Sequence, residues 1–242
     1  MDMADEVSVR LLSDGRFTLP KPFLVYGKYF GETYEAALKP LLIISEGKRI
    51  LVDTGIGELP EKHARFHQVI RGPGEALEEQ LRALDLGPED IDVVVNTHLH
   101  FDHCGKNALF ENALFYVQLA ELRYAYAPDR FMKNAYIRDF FDVPVKYVPI
   151  RGPHRLTKHV HILPTPGHTP GHQSVVVKLP DGRKVVYCGD AATLRECLER
   201  RNIPGVLWRS DVALRSIDKL RGIENAIYIY SHDREQVRLV LP

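Results

Sequence analysis

Apolar and polar residues alternate along the first third of the chain in the pattern of β-strands. Positions 7–11 alternate strictly, and two apolar segments, 38–45 and 50–52, flank the turn-like residues 46–49. Alternation with period two places the apolar side chains on one face of a strand, and a short polar segment between two strands is typical of a hairpin. The pattern predicts that an antiparallel meander opens the fold.

Helical spacing replaces this alternation further along the chain. Leu77, Leu81 and Leu84 recur every three or four residues with charged residues between them, and Gly87-Pro88 closes the segment. This spacing predicts an amphipathic helix that packs on a sheet. The next segment, 91–95, is mostly apolar and lies between turn-forming residues, which is typical of a strand buried on both faces.

The second half of the chain repeats the same order of elements. Strands are predicted over 172–179 and 184–188, an amphipathic helix near 213–220, and a further strand over 226–230. Two β-rich halves, each covered by helices, predict an α/β fold of the four-layer αββα sandwich type. Since no linker-like or repeated segment interrupts the chain, residues 1–242 are expected to form a single domain.

An aromatic-rich segment, 115–141, separates the two halves. It contains Tyr124, Tyr126 and Phe131 and is predicted to be helical in pieces, broken at Pro128. Two roles are consistent with its position and composition. It either packs as a layer on the sheet or covers a substrate site.

Composition and charge exclude several classes of protein. The chain has 242 residues, 45% of them hydrophobic, and its 32 basic and 32 acidic residues cancel. Zero net charge does not favour a nucleic-acid partner. No apolar run reaches the roughly 18 residues of a membrane helix, and residues 1–6 are acidic where a secretory signal is basic. Three scattered cysteines predict reduced thiols, so we expect a cytoplasmic protein with no membrane partner.

A dense group of metal-binding side chains follows the predicted strand 91–95. The sequence His98-Leu99-His100-Phe101-Asp102-His103 supplies imidazole and carboxylate ligands of the kind that zinc prefers. Residues two apart in a chain that leaves a strand point to one side, whereas the last two residues lie on the following turn and point to another. One ion does not accommodate all four ligands, so two adjacent ions are predicted.

Further ligands are expected from the ends of other predicted strands, because a sandwich gathers its loops at one edge. His168 lies in a Pro-Gly-His turn, Asp190 follows a predicted strand through Gly189, and His232 follows the last predicted strand. We expect one ion on His98, His100 and His168, the other on Asp102, His103 and His232, and Asp190 between them. The candidate ligands are His98, His100, Asp102, His103, His168, Asp190 and His232.

This series of motifs resembles the metallo-β-lactamase superfamily. The upstream sequence Leu51-Val52-Asp53-Thr54-Gly55 is similar to the first motif of that family, in which the aspartate supports a metal ligand through a hydrogen bond. The resemblance implies an αββα fold, two divalent ions, usually zinc but sometimes iron or manganese, and hydrolysis by metal-bound hydroxide. Asp102 or Asp190 is then expected to move the proton. His172 is expected to support a ligand, and Cys104 to be an inert buried thiol.

Within the superfamily, the chain is most similar to the lactonases that open N-acyl-homoserine lactones. The similarity rests on Phe101, on the chain length and on the sequence Ser231-His232-Asp233. Those lactonases commonly carry a tyrosine three residues after the bridging aspartate, where this chain has Thr193. The missing phenol is expected to be replaced by the hydroxyl of Thr193, by Tyr26 or Tyr29, or by the ions alone.

Two other activities stay open beside the lactonase. One is a thioester hydrolase like glyoxalase II, and the other is a persulfide dioxygenase with a single iron. A small-molecule substrate, a lactone or a thioester, is expected in the hydrolytic cases, and a homodimer stays open. Exported antibiotic lactamases are not expected, because residues 1–6 are acidic and do not resemble a signal sequence. The tRNA-processing nucleases place their glycine one residue later than Gly105 and bind a polyanion, which zero net charge does not favour, and flavodiiron proteins carry a glutamate where this chain has His100.

Overall fold

The computed structural model describes residues 6–236 and 238–241, so the acidic residues 1–5 lie outside the described part. The strands are β1 (Val7–Leu11), β2 (Arg16–Pro20), β3 (Thr33–Ala37), β4 (Leu41–Ser45), β5 (Lys48–Val52), β6 (Val69–Ile70), β7 (Val93–Val95), β8 (Leu114–Gln118), β9 (Lys146–Ile150), β10 (His154–Arg155), β11 (Val160–Pro164), β12 (Gln173–Lys178), β13 (Lys184–Tyr187), β14 (Ala226–Ile229) and β15 (Val240–Leu241). The helices are α1 (Glu61–Ala64), α2 (Leu77–Arg82), α3 (Leu119–Tyr126), α4 (Arg138–Phe141), α5 (Arg195–Glu199) and α6 (Ser210–Arg221).

Two large sheets form the centre of the fold. The first has seven strands in the order β15-β1-β4-β5-β7-β8-β9, and the second has five in the order β10-β11-β12-β13-β14. The predicted meander is present as antiparallel β1, β4 and β5. Between β1 and β4, however, the chain leaves the sheet and forms β2 and β3, which join β6 in a separate three-stranded sheet. The sequence pattern does not predict this small sheet.

Apolar clusters between the two sheets and on their outer faces hold the elements together. Val52, Val95 and other residues of the first sheet pack against Val175 and Val185 of the second. Leu77 of α2 and its neighbours cover the outer face of the first sheet, and Ile217 and Leu220 of α6 belong to the cluster on the outer side of the second. Burial of these surfaces is the main stabilising contribution to such an arrangement. The predicted αββα sandwich is confirmed.

Some boundaries differ from the prediction. The aromatic segment does not begin as a helix, because residues 114–118 form β8, which pairs in parallel with β7 and β9. Phe115 and Val117 alternate into the core, a periodicity that aromatic and β-branched residues favour in strands. The helix α3 follows and ends before Pro128, as predicted. The predicted strand 91–95 is shorter, since residues 88–90 form a 3-10 turn and the strand begins at Val93.

The two sheets meet at one edge, where the candidate ligands lie. β5 and β7 run parallel in the first sheet, so their carboxyl ends lie at the same end of that sheet. The same holds for β13 and β14 in the second sheet. Gln173 joins the sheets at this edge, because its backbone N–H donates to Thr97 O and its side chain donates to Asn96 O. None of the helices in the described part of the chain has the length and apolarity needed to cross a bilayer.

Candidate metal centre

All seven candidate ligands converge at the carboxyl ends of the strands. Their ligand atoms lie within 4.8 Å of one another in three overlapping groups of three. The groups are His98, His100 and His168; His98, His103 and Asp190; and Asp102, His103 and His232. The first and third groups are the two sets expected from the sequence. Six of the seven residues are buried, and Asp102 alone is partly exposed.

Asp190 lies between the two sets. Its Oδ1 is 3.2 Å from Nε2 of His103 and 3.2 Å from Nε2 of His232, whereas its Oδ2 is 3.3 Å from Nε2 of His168. Each carboxylate oxygen therefore faces a different group of histidines. This is the geometry in which one carboxylate can serve two adjacent cations.

Neighbouring residues hold Asp190 in this orientation. The hydroxyl of Ser231 donates to Asp190 Oδ1 over 2.6 Å, and the backbone N–H of Asp190 donates to Nε2 of His172 over 2.9 Å. Gly189 permits this approach, because its φ is 54° and a Cβ there would lie 2.6 Å from Nε2 of His172. His172 thus contacts the candidate ligand Asp190, which is the contact that its expected supporting role requires.

The outer ring nitrogens of three histidines are fixed by hydrogen bonds. His103 Nδ1 donates to Asp53 Oδ2 over 2.8 Å, His168 Nδ1 donates to Val206 O over 2.8 Å, and His232 Nδ1 donates to Ala37 O over 3.0 Å. Donation from Nδ1 leaves the lone pair on Nε2, which points inward. Such outer bonds orient histidines for metal binding.

Asp53 anchors the first sheet to the cluster. Its backbone is left-handed, with φ of 59°, a conformation that aspartate adopts more readily than most residues. The carboxylate accepts from Thr97 N–H and from the Thr97 hydroxyl, in addition to His103. The hydroxyl oxygen of Thr97 then lies 3.1 Å from Nδ1 of His98, which can donate to it. Asp53 therefore contacts the cluster in the way that the resemblance implies.

The donor set suits a divalent cation. Nε2 of His98 is buried and has no hydrogen-bond partner in the described part of the chain, and burial lowers the pKa of His98 well below its usual value. Burial also lowers the pKa of His103, but the carboxylates around it outweigh burial and raise it well above its usual value. Nε2 of His103 and Nε2 of His232 are 3.4 Å apart, so they cannot both carry a proton between them. A cation among these nitrogens and carboxylates gives the Nε2 atom of His98 a partner and removes the need for a proton between His103 and His232.

Thr193 does not point its hydroxyl into this cluster. The hydroxyl donates to Leu24 O over 2.6 Å, and the Thr193 carbonyl accepts from the backbone N–H of His232. Among the tyrosines considered as replacements, Tyr29 donates its hydroxyl to Glu196 and Tyr26 is 60% exposed. The hydroxyls of Thr193 and Tyr29 are thus hydrogen-bonded to other residues, and a contact of any of the three hydroxyls with a substrate carbonyl stays a prediction.

The remaining sequence expectations have different outcomes. Cys104 is buried in an apolar cluster, as expected of an inert thiol. In the aromatic segment, Tyr136 and Phe141 pack in that same cluster, whereas Phe131 is 68% exposed. The sequence does not predict the main-chain acceptors or the hydrogen bond from Ser231, because nothing local in it indicates which carbonyl or hydroxyl will contact a candidate ligand.

Comparison with known proteins agrees with this geometry. A family model described as the metallo-beta-lactamase superfamily matches residues 41–232. The N-acyl homoserine lactonase AttM of Rhizobium radiobacter is 32% identical over 222 residues, which are 84% of this chain and 81% of the relative. An N-acyl homoserine lactonase from a Bacillus species is 31% identical over 223 residues, 86% of each protein.

Solved structures give the same result. A variant of Bacillus thuringiensis AiiA with N-decanoyl-L-homoserine bound at its active site matches with a TM-score of 0.84 and 25% identity, over 95% of this chain and 94% of that one. A quorum-quenching N-acyl homoserine lactone hydrolase matches with a TM-score of 0.83 and 28% identity, over 98% and 96%. The matched range includes all seven clustered side chains, which together with the fold indicate a divalent metal site. The chain therefore belongs to the metallo-β-lactamase superfamily.

Proposed function

We propose that this protein is a dinuclear metal-dependent hydrolase that opens the lactone ring of N-acyl-homoserine lactones. The observation that carries the proposal is the position of Asp190, whose two oxygens face two different groups of histidines. Two N-acyl homoserine lactonases match this chain over more than four fifths of both proteins, which supports the choice of substrate. The chain is proposed to act as one domain, and its free buried cysteines suit a reducing compartment such as the cytoplasm.

One ion is assigned to the first group of ligands and the other ion to the third group, and Asp190 is assigned to both ions. The ions proposed are Zn²⁺, because nitrogen and carboxylate donors suit zinc, with iron or manganese as the alternatives. When bound, two such ions lower the pKa of water and polarise a substrate carbonyl. The residues in these roles are His98, His100 and His168 for one ion and Asp102, His103 and His232 for the other.

Asp102 is the residue proposed to move the proton. Its Oδ2 faces Nε2 of His103 and Nε2 of His232, at 3.7 and 3.5 Å, whereas both oxygens of Asp190 face histidines. Within the described residues, Asp102 therefore keeps one carboxylate oxygen that is not directed at these histidines. Water attacks the lactone carbonyl carbon and loses a proton to the carboxylate of Asp102. The ring carbon–oxygen bond then breaks, and Asp102 returns the proton to the ring oxygen, which leaves as the hydroxyl of the acyl-homoserine.

A metal titration tests the proposal. The protein is stripped with a chelator, and zinc is added back while proton release from N-hexanoyl-homoserine lactone is followed. We expect activity to rise chiefly with the second equivalent of zinc, and His232→Ala to abolish that rise. His159→Ala serves as the control, because His159 lies outside the cluster and its Nδ1 forms a hydrogen bond with Lys178 O. Full lactonase activity with one equivalent, or retained activity in His232→Ala, contradicts the dinuclear site.

A further inference from the structure

A second buried carboxylate lies beside the metal cluster without belonging to it. Glu121 is in the first turn of α3 and is fully buried. Its Oε1 accepts from the backbone N–H of Leu99 over 3.0 Å and from the hydroxyl of Tyr136 over 2.9 Å. Its Oε2 accepts from the hydroxyl of Thr169 and, over 3.2 Å, from the backbone N–H of Gly171. Four donors from three segments of the chain thus meet at one side chain.

Two of these segments carry candidate ligands. Leu99 lies between His98 and His100, and Thr169 directly follows His168. Glu121 therefore ties together the two loops that supply the first group of ligands. These bonds fix the separation of the loops, since each loop is joined to the same rigid carboxylate.

Two packing contacts reinforce the arrangement. The ring of Tyr136 meets the ring of His100 edge-on, with centroids 4.6 Å apart. Gly171 lies so close to α3 that a Cβ there would be 2.1 Å from the backbone nitrogen of Glu121. The glycine therefore allows the loop to approach the helix closely enough for the hydrogen bond.

The other group of ligands is held by different residues. His103 donates to Asp53, and His232 donates to Ala37 O. Neither contact involves Glu121 or its four donors. The influence of Glu121 on the cluster is therefore one-sided.

We propose that Glu121 is a positioning residue that sets the spacing of His98, His100 and His168, and so controls the affinity of one metal position while leaving the other largely unaffected. This inference rests on the proposed dinuclear site. It assigns a role to a residue that touches neither the proposed ions nor the substrate.

Glu121→Gln is the matched perturbation, because it preserves size but replaces one acceptor oxygen with an NH2 donor. If the NH2 group faces Leu99 and Tyr136, the hydroxyl of Tyr136 can turn to accept a hydrogen bond from it, but the backbone N–H of Leu99 can only donate and loses its acceptor. If the NH2 group faces Thr169 and Gly171, the hydroxyl of Thr169 can turn in the same way, but the backbone N–H of Gly171 loses its acceptor. In either orientation one loop loses a main-chain hydrogen bond in a buried place, which shifts that loop relative to the other.

Metal content at buffered free zinc provides the test. Stripped protein is equilibrated over a range of free zinc concentrations, and bound zinc per chain is measured. We expect Glu121→Gln to keep one ion with native affinity and to bind the second about 10- to 100-fold more weakly, the range typical of residues that orient ligands. Tyr136→Phe, which removes one donor and keeps the ring, should weaken the same ion by a smaller factor and is informative if Glu121→Gln fails to fold.

Asp14→Asn is the control for a general loss of stability. Asp14 is also fully buried and accepts from Ile56 N–H, Leu77 N–H, Arg71 and Lys106. Its loss should lower the unfolding temperature of the metal-free protein without changing either zinc affinity. Unchanged affinities in Glu121→Gln, a parallel loss of both ions, or an equal loss in Asp14→Asn each overturn the assigned role.

The failure of the dinuclear proposal gives a different result. If the native protein itself binds one zinc ion, the dinuclear site is wrong, and the role of Glu121 is then decided in metal-free protein by amide hydrogen exchange. Faster exchange at Leu99 or Gly171 in Glu121→Gln, with Ile56 unchanged, supports the role. Unchanged exchange at both amides overturns it.

Discussion

Replacing Asp190 with asparagine perturbs the residue on which the proposed two-ion arrangement depends. Asp190 Oδ1 faces His103 and His232 at 3.2 Å, and Oδ2 faces His168 at 3.3 Å. Asparagine keeps one acceptor oxygen and places an NH2 group against the other set of histidines, where it donates to a ring nitrogen that is needed as a ligand. One ion therefore loses its shared ligand, and the negative charge between the two groups is lost.

The size of the effect follows from the burial of this contact. Removing one partner of a buried charged pair destabilises a folded protein by about 3 to 5 kcal/mol. We take the same free energy as the loss of binding of the shared ion, where each 1.4 kcal/mol is about tenfold in affinity. We therefore expect kcat/KM for N-hexanoyl-homoserine lactone to fall by roughly 100-fold to a few thousand-fold, with loss of at least one ion. Proton release measures the activity, and elemental analysis of the same sample measures the metal.

Asp53→Asn is the matched comparison, because it makes the same chemical change one contact further away. Asp53 reaches the cluster through the outer nitrogen of His103, and losses of such supporting contacts are about 10- to 100-fold. The decisive result is which of the two variants loses more kcat/KM, and we expect the larger loss in Asp190→Asn. An equal or larger loss in Asp53→Asn, or less than a tenfold loss in Asp190→Asn, would refute the assignment of Asp190 as the shared ligand.

Three further predictions follow from single contacts. Ser231→Ala removes the donor to Asp190 and should lower kcat/KM about tenfold; unchanged kinetics would mean that this hydrogen bond does not orient the carboxylate. Thr193→Val leaves the buried Leu24 carbonyl with only the weak thiol donor of Cys197 and should destabilise the protein by about 1 to 3 kcal/mol in urea unfolding while kcat changes less than tenfold; a large loss of kcat at native stability would instead make Thr193 a substrate contact. Burial lowers the pKa of Lys39 from 10.5 to about 8, so the folded protein binds fewer protons than the unfolded chain between these pH values and gains stability as the pH rises. Urea unfolding of metal-free native protein and of Lys39→Met should show that native stability grows by up to about 3 kcal/mol more than that of the variant from pH 8 to 10.5; a constant difference would contradict the lowered pKa.

The meeting of the candidate ligands could be predicted from the sequence because they lie in loops that follow strands. His98 and Asp190 lie within three residues of the ends of β7 and β13, so the topology alone brings them to one edge. The strand β8 was missed because residues 114–118 are aromatic and apolar without a turn before the helix α3, so local pattern does not separate the two elements.

The supporting residues could not be predicted in this way. Glu121 has the neighbours of an ordinary surface residue in an amphipathic helix, and it is buried only because two distant loops fold over it. Thr193 lies three residues after Asp190, yet its hydroxyl donates to the carbonyl oxygen of Leu24, 169 positions earlier in the chain. Such contacts depend on tertiary packing, which periodicity and motif spacing do not specify.

The most direct measurement of the central claim compares two substrates on one preparation of zinc-loaded protein. kcat/KM is determined for N-hexanoyl-homoserine lactone and for a glutathione thioester, with oxygen uptake recorded in parallel. The account predicts efficient opening of the lactone, little thioester cleavage and no oxygen consumption. Thioester cleavage without lactone opening would contradict it in favour of a glyoxalase II-like enzyme, and oxygen consumption by an iron-loaded sample given a persulfide would contradict it in favour of a dioxygenase.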